Sequence, residues 1–362
     1  MRLLAVLTLF ALVVPSPVRA EDKVPPPGTA EHDEALRRAQ VWFEPAVSLR
    51  QMRLGDNPRD KGWDFEPGEQ VECVFKPDFV SGSTPKFECE RPGGKKIKVK
   101  YGRDNKEIYA EVVASRLLSA LGFPADRLYV VGRIRCFGCP ADPFAGLQCM
   151  NEGRTAESCF PQLDTKKYVD FDHAVIERRL EGEKLETKKV RGWGWNELSK
   201  IDAAAGGAPR KHLDALRLLA MFLNHWDNKP KNQRLLCLDE ESSSGELPEC
   251  RRPVAMVQDL GGTFGPFKFD VNGWAKTPVW KDSASCTVSM RRLPYGGSSF
   301  PDVQISEEGR LFLATRLAQL SRDQLLDLFE SARAGADTVR WVDAFEKKAR
   351  SIIDHPPCPA TN

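Results

Sequence analysis

Alternating apolar and polar positions predict three short strands between residues 71 and 102. The three segments read VECVF, KFECE and KKIKVKYG. They are separated by a Ser/Gly/Pro-rich stretch at residues 80–85 and by a Pro-Gly-Gly turn at residues 91–94. Strands of this length joined by short turns favour an antiparallel meander.

Apolar residues that recur with the period of an α-helix predict several helices. Apolar residues keep one face over residues 106–121, where Gly122 marks the end, and again over residues 209–226. Further helices are predicted at residues 307–320 and 322–334, and further strands in the segments LYVVGRIRC, AVIERRLEG, RLLCL and VAMVQDL. This order favours an α+β fold in which a small β-rich lobe packs against a larger helical lobe.

The N-terminus predicts export. Arg2 precedes an apolar run at residues 3–14, followed by Pro15 and the small side chains Val18 and Ala20, which is the order of a secretory signal peptide. The run is too short to span a bilayer, although an anchor that stays attached is the alternative. We therefore expect a signal peptide at residues 1–20, a disordered Pro-rich leader at 21–35 and a periplasmic, secreted or secretory-lumen protein. No transmembrane segment is expected after cleavage.

The cysteines and the charge balance narrow the class of protein. All 10 cysteines follow Ala20, and in an exported chain an even number favours disulfides. Cys73 with Cys89, and Cys237 with Cys250, are plausible local bridges, whereas the set Cys136, Cys139, Cys149 and Cys159 could also hold zinc. The net charge is only +2 and no long basic stripe occurs, so nucleic acid is not an implied partner.

The most informative segment is HWDNKPKN at residues 225–232, at the end of a predicted helix. It resembles the catalytic loop of protein kinases, H-x-D-x-K-P-x-N. The resemblance implies that Asp227 accepts the proton of an acceptor hydroxyl, that Asn232 holds a metal ion and that His225 braces the loop. The alternative is an ordinary turn after a helix, since D-N-K-P is turn chemistry.

A second motif follows the next predicted strand pair. Asp259-Leu-Gly261 resembles the metal-binding D-F-G segment of kinases, with Leu in place of Phe. The polar loop between Cys237 and Cys250 accounts for the long separation of Asp227 from Asp259. A carboxylate at a strand end, followed by glycines, can approach Mg²⁺ that bridges two phosphates.

Upstream residues follow the kinase order as well. Lys100, with Lys98 as the alternative, is expected to contact phosphates, and Glu111 on the following helix is expected to pair with it, with Glu107 as the fallback. The turn at residues 80–85 takes the place of the kinase glycine-rich loop but lacks G-x-G-x-x-G. The backbone near Glu177 to Arg179 resembles the hinge that meets an adenine edge.

These motifs resemble the divergent protein-kinase-like superfamily, including its exported members. The resemblance implies a two-lobed kinase-like fold, with an N-lobe at residues 36–175, a Cys-rich insertion at 136–159 and a C-lobe at 176–355. It implies phosphoryl transfer from ATP or another nucleoside triphosphate, with Mg²⁺ or Mn²⁺, to a hydroxyl of a protein, sugar or lipid head group. The alternative function is a pseudokinase, a disulfide-rich exported binding protein without catalysis.

Overall fold

The computed structural model describes residues 29–78, 80, 82–161, 163–186, 190–238 and 250–360. The expected signal peptide, residues 21–28 of the leader, Ser81 of the first turn and residues 239–249 of the polar loop lie outside the described residues. The helices are α1 (Ala30–Arg37), α2 (Lys106–Ala120), α3 (Pro143–Asn151), α4 (Ala156–Cys159), α5 (Arg210–Leu223), α6 (Val271–Lys276), α7 (Glu307–Leu317), α8 (Arg322–Ser331) and α9 (Thr338–Ile353). The strands are β1 (Gln70–Lys76), β2 (Lys86–Glu90), β3 (Lys96–Lys100), β4 (Arg127–Val130), β5 (Arg133–Phe137), β6 (Tyr168–Asp172), β7 (Val175–Arg178), β8 (Glu183–Lys184), β9 (Gln233–Cys237), β10 (Pro253–Val257), β11 (Thr287–Val288) and β12 (Val303–Gln304).

A seven-stranded sheet with the order β4-β7-β3-β2-β1-β5-β6 forms the small lobe of the described chain. The predicted antiparallel meander β1-β2-β3 lies at its centre. In β1, Val71, Cys73 and Phe75 are buried while the residues between them are exposed, as period-2 patterning requires. The α+β architecture expected from the order of elements is confirmed.

The segment LYVVGRIRC forms two strands, so its prediction as one strand is wrong. β4 pairs with β7 at one edge of the sheet, whereas β5 pairs in parallel with β1 on the other side. The chain passes between them at Gly132, where a Cβ atom would lie 2.5 Å from the carbonyl oxygen of Gly68. β6 then pairs with β5, so the inserted structure reaches residue 172 and widens the sheet.

The boundary between the lobes lies later than residue 175. β7 pairs with both β3 and β4, so the whole of this strand belongs to the sheet. The chain enters the helical lobe after Arg178. The predicted boundary between residues 175 and 176 therefore falls inside β7.

The sequence predicted disorder up to residue 35, but residues 30–35 belong to the helix α1. Thr29 caps this helix, its hydroxyl accepting a hydrogen bond from the backbone N–H of His32. Gln40, three residues after the end of α1, pairs with β10. Its N–H donates to Pro253 O and its carbonyl accepts from Ala255 N, both at 2.9 Å. The N-terminal segment is therefore built into the helical lobe, and order begins at least six residues before Leu36.

The helical lobe forms around α5, which is buried along most of its length. α5 packs on α7, and α9 packs on α6, α7 and α8. A continuous apolar core links α1, α2 and these helices. A second core lies under the sheet and includes residues of the insertion. Within the described part of the chain, no helix is both long and apolar enough to cross a membrane.

All the cysteines lie in pairs at disulfide-bonding distance. The two pairs suggested by the sequence are present, and the other pairs are Cys136–Cys139, Cys149–Cys159 and Cys286–Cys358. The four sulfurs considered for zinc are thus used in two bridges, and the zinc alternative gains no support. The bridge between Cys286 and Cys358 joins residues 72 positions apart and ties the C-terminal tail to the lobe.

We expect mass mapping of the non-reduced mature protein to give these five linked pairs and no free thiol. Because a disulfide must bring the two Cα atoms within about 7 Å, other pairings would need backbone movement. Digestion with a protease under acidic conditions, which prevents thiol exchange, is the measurement. Free thiols at Cys136, Cys139, Cys149 and Cys159 together with bound zinc would contradict it.

Candidate active site

A cleft of about 790 Å³ lies between the sheet and the loops that follow α5 and β10. It brings together the residues predicted for catalysis and metal binding, which are Lys100, Glu111, Asp227, Asn232 and Asp259. The residues predicted to contact the nucleotide, Lys98, Glu177 and Arg179, line the same cleft. Residues that are far apart in sequence thus meet in one site.

Lys100 and Glu111 form a buried ion pair at the centre of the cleft. Lys100 is the last residue of β3, and its Nζ lies 2.5 and 2.6 Å from the two carboxylate oxygens of Glu111 on α2. Burial would lower the pKa of Lys100, but Glu111, Glu177 and Glu107 together raise it well above its usual value. The lysine is therefore a permanent positive charge in the cleft.

Glu177 contributes its side chain to the site as well as its backbone. Its carboxylate oxygens lie 2.8 Å from Lys98 Nζ and 3.1 Å from Lys100 Nζ. Lys98 and Glu177 are directly opposite each other in the pairing of β3 with β7. Burial would raise the pKa of Glu177, but Lys100 and Lys98 lower it, so the carboxylate stays ionised. Lys100 is thus held between two glutamates.

The loop after α5 presents Asp227 to the cleft. α5 ends at Asn224 in the left-handed conformation, which turns the chain toward the sheet. The side-chain amide of Asn232 donates to the backbone carbonyl of Asp227 at 2.6 Å and closes the loop. Lys229 Nζ lies 3.0 Å from Asp227 Oδ1. Asp227 remains partly open to the cleft, with about 28% of its side chain exposed.

His225 supports this loop from within. It is 1% exposed, and its ring meets Trp195 at a centroid distance of 5.8 Å. Burial lowers the pKa of His225 to about 4, so the imidazole is neutral at physiological pH. Its ring does not line the cleft, and its bracing role stays a prediction.

Asp259 and the two glycines after it connect the loop to α2. The N–H of Asp259 donates to Asn232 O at 3.0 Å, and its Oδ1 accepts from Gly261 N at 3.2 Å. A Cβ at Gly261 would lie 2.1 Å from Glu107 Cγ, and one at Gly262 would lie 2.7 Å from Asp227 Cβ. Only glycine permits this close approach. The two glycines after Asp259 therefore let this segment lie directly against Glu107 and Asp227.

Three carboxylates converge on one point of the cleft. Oxygens of Glu107, Glu111 and Asp259 lie within 4.8 Å of one another. Burial raises the pKa of Asp259 and that of Glu111, whereas the charge of Lys100 lowers both. Buried carboxylate oxygens are the ligands preferred by Mg²⁺ and Mn²⁺, so this group of residues fits a divalent cation.

Glu107 was the fallback partner of Lys100 in the sequence analysis, and it has a different position. Its carboxylate accepts from Thr84 Oγ1 at 2.8 Å and lies 2.6 Å from Lys268 Nζ, whereas Lys100 Nζ is 3.8 Å away. Burial would raise the pKa of Glu107, but Lys100 and Lys268 lower it to about 2. Glu107 thus connects α2 to the turn at residues 80–85, through Thr84, and to the segment after Asp259, through Lys268.

Sequence reasoning missed Lys86. This lysine is the first residue of β2, lies opposite Lys100 in the pairing of β2 with β3, and is only 6% exposed. Among the described residues no carboxylate lies within 4.0 Å of its Nζ, and burial and then Lys100 lower its pKa. Its position after the turn at residues 80–85, on the same face as Lys100, was the available signal. Lys268 was also missed, and no local pattern marks it.

Two solved structures resemble the chain. A Helicobacter pylori proinflammatory kinase, CtkA, aligns with 79% of this chain and 96% of its own length at 10% identity and a TM-score of 0.43. The Golgi casein kinase with Mn/ADP bound aligns with 79% of this chain and 72% of its own length at 14% identity and a TM-score of 0.35. No family model matches the chain, and no curated protein sequence does so. TM-scores of this size describe a distant likeness.

The arrangement of elements around the cleft defines the class of fold. A β1-β2-β3 meander, a helix whose glutamate pairs with the β3 lysine, and the strand β7 that leads to the helical lobe surround the cleft on one side. The loops carrying Asp227 and Asp259 form the other side. The chain has a two-lobed, kinase-like α+β fold, as the sequence predicted.

Proposed function

We propose that this protein is a metal-dependent kinase-like phosphotransferase that moves a phosphoryl group from a nucleoside triphosphate to a hydroxyl acceptor. One observation carries the proposal: the buried pair of Lys100 and Glu111 lies in the same cleft as Asp227 and Asp259. Each of these residues has an ordinary structural explanation alone. Four such residues in one cleft, on elements in kinase order, are hard to explain by packing alone.

The proposed roles follow from charge and position. Lys100 holds donor phosphate oxygens, with Glu111 and Glu177 fixing its position. Asp227 is partly exposed and orients the acceptor hydroxyl. As the acceptor oxygen forms a bond to the terminal phosphorus, the bond to the bridging oxygen breaks, the nucleoside diphosphate leaves, and Asp227 takes the hydroxyl proton.

Asp259 would hold the divalent cation, with Asn232 as the second predicted ligand and Glu107 and Glu111 within reach. When bound, Mg²⁺ or Mn²⁺ would neutralise charge on the phosphate oxygens. Support for the carboxylate ligands is their convergence, with Glu107 and Glu111 buried and Asp259 partly buried. The side-chain oxygen of Asn232 remains available because its hydrogen bond to Asp227 uses the amide nitrogen.

The proposal includes export. The pairing of all the cysteines is compatible with folding in an oxidising compartment. The second candidate function is a binding protein with a kinase-like fold that transfers nothing. It is favoured by the turn at residues 80–85, which lacks the glycine pattern, and by the engagement of Lys100 with two carboxylates.

The test is ligand-induced stabilisation of the mature, oxidised protein. We expect ATP or GTP with Mg²⁺ or Mn²⁺ to raise the melting temperature, because a ligand that binds the native state at 100 times its Kd contributes about 2.7 kcal/mol. The same nucleotide with a chelator should give a smaller shift. A metal-dependent shift together with transfer of labelled γ-phosphate would support the phosphotransferase, whereas a shift without transfer would favour the binding protein. Absence of any shift with every nucleotide and metal would contradict the phosphotransferase and leave the binding protein as the better candidate.

A further inference from the structure

The walls of the cleft are unusually polar for a nucleotide site. Among the described residues that line it, no Ala, Val, Leu, Ile or Met occurs, and Tyr295 supplies the aromatic ring. Small-molecule pockets are mostly lined by apolar and aromatic side chains, with a few polar groups that fix orientation. An adenine ring would find little apolar surface here. The polar lining therefore points to a ligand with charge along much of its length.

The charges are divided between two ends of the cleft. Glu107, Glu111 and Asp259 form the carboxylate end, where Lys100 and Lys268 already pair with the two glutamates. The other end, which we call the hinge end, is formed by four basic side chains, those of Arg179, Lys184, Arg191 and Arg234. Positive charge thus gathers where a kinase hinge would meet a base.

Backbone contacts hold three of the four basic residues at the hinge end. Lys184 lies on β8 opposite Leu236 of β9, and Arg234 is two residues earlier on β9. Arg234 is further fixed because its carbonyl accepts from Trp193 Nε1 at 3.0 Å. Arg191 precedes Gly192, where a Cβ would lie 1.9 Å from Pro230 O, so the chain presses closely against the loop after α5.

Among the described residues, these charges lack direct ionic partners. Within the described part of the chain, no carboxylate oxygen lies within 4.0 Å of the charged nitrogens of Arg179, Lys184, Arg191 or Arg234. Arg234 is only 6% exposed, and its Nε donates to Gln258 Oε1 at 2.5 Å, a neutral partner. Burial lowers the pKa of Lys184, and the neighbouring Arg234 and Arg179 lower it further. Like charges held together in this way destabilise the native state unless an anion joins them.

The acidic side chains nearby do not balance this charge. Glu186 lines the same cleft, and its charge acts on Lys184. Glu177 is already paired with Lys98 and Lys100. Asp126 acts on Arg234 from a buried position, where burial raises its own pKa to about 7. The hinge end therefore keeps an excess of positive charge.

We propose that Arg179, Lys184, Arg191 and Arg234 form a second anion-binding site, which holds a phosphate group at the hinge end of the cleft. This inference deepens the proposed function. It rests on that function because the proposed function places the transferred phosphoryl group at the carboxylate end. Guanidinium groups bind phosphate oxygens through paired hydrogen bonds, and a lysine adds a further charge. The phosphate belongs either to the donor or to a phosphorylated acceptor.

The test is binding of inorganic pyrophosphate in the presence of a chelator, measured by isothermal titration calorimetry at low salt. The chelator removes any metal that could hold the anion at the carboxylate end. We expect the wild-type protein to bind pyrophosphate and the double variant R179A/K184A to bind it at least tenfold more weakly. Both side chains are exposed, so the variant should fold. Arg234 is left in place because its buried side chain contributes to packing.

The matched control is K166A/K347A, which removes two exposed lysines outside the cleft and changes the net charge equally. It should bind pyrophosphate as the wild type does. A wild type that does not bind pyrophosphate, or a double variant R179A/K184A that binds it normally, would overturn the inference. The same holds if K86A, at the other end, loses pyrophosphate binding while R179A/K184A keeps it.

Titration of each protein with nucleotide, in the presence of Mg²⁺ or Mn²⁺, then distinguishes the two sources of the phosphate group. If the donor carries the group, R179A/K184A also weakens nucleotide binding. If a separate acceptor carries it, nucleotide affinity is unchanged and the loss is confined to pyrophosphate. Both outcomes support the anion site. A protein that binds pyrophosphate through these residues but transfers no phosphoryl group keeps this inference and refutes the proposed function.

Discussion

Substitution of Asp259 by Asn should abolish the metal dependence of nucleotide binding while the protein stays folded. Asn has the same shape and can still accept the hydrogen bond from Gly261 N, but it removes the charge from the carboxylate cluster. Loss of groups that merely orient a metal ligand costs about 10–100-fold in affinity or activity, so loss of a ligand itself should reduce phosphoryl transfer by more than about 100-fold.

The stability of this variant provides a second readout. Burial raises the pKa of Asp259 above its unfolded value, so its ionisation opposes folding as the pH rises through the folded pKa. D259N removes that opposition, and its melting temperature without ligand at neutral pH should equal or exceed that of the wild type. Thermal melts with and without Mn²⁺ measure both effects.

Asp354 offers the control for this substitution. It is an exposed aspartate after α9, outside the cleft, and D354N should keep the metal-dependent shift and the activity. If D259N shows the wild-type response to Mn²⁺ and nucleotide, Asp259 is not a metal ligand. A variant that fails to fold would show instead that the carboxylate is structural, which its raised pKa argues against.

Substitution of Asp227 by Asn should separate binding from chemistry. The Asp227 side chain is partly exposed, and the backbone carbonyl, which stays in the variant, accepts the hydrogen bond from Asn232. We therefore expect nucleotide affinity within about twofold of the wild type. Positioned acid–base groups contribute about 10²–10⁴-fold in rate, and the loss of phosphoryl transfer should fall in this range.

The measurement pairs a nucleotide titration with a transfer assay on the same preparation. D354N again supplies the control, since it removes one negative charge elsewhere. Turnover by D227N equal to that of the wild type would mean that the resemblance of residues 225–232 to a kinase loop is accidental. Loss of nucleotide binding in D227N would instead assign Asp227 to the metal site.

Much of the candidate site could be predicted from short segments. The residues that carry it lie in local patterns: a strand that ends in Lys100, a helix with Glu111 at its centre, and two loops with recognisable spacing. Such patterns depend on backbone geometry over a few residues, which the sequence displays directly. The two cysteine pairs suggested beforehand are also local, closing loops of 16 and 13 residues.

Other features depended on contacts between distant segments. The parallel pairing of β5 with β1, the contact of α1 with the helical lobe and the bridge from Cys286 to Cys358 leave no local trace. Lys86 and Glu177 were visible as strand residues, but strand alternation does not say which face meets a cleft. Their roles became clear only when the sheet register brought them beside Lys100.

The sequence by itself determined the types of the main elements, the order of the lobes and the two acidic motifs, because hydrophobic period and turn chemistry act over short distances. Tertiary structure alone decided which charges become neighbours. Strand register, the close approach permitted at Gly261 and Gly262, and the burial of Lys86 set those distances. Since electrostatic interactions depend on distance and burial, the division of the cleft into a carboxylate end and a basic hinge end arises only in the folded chain.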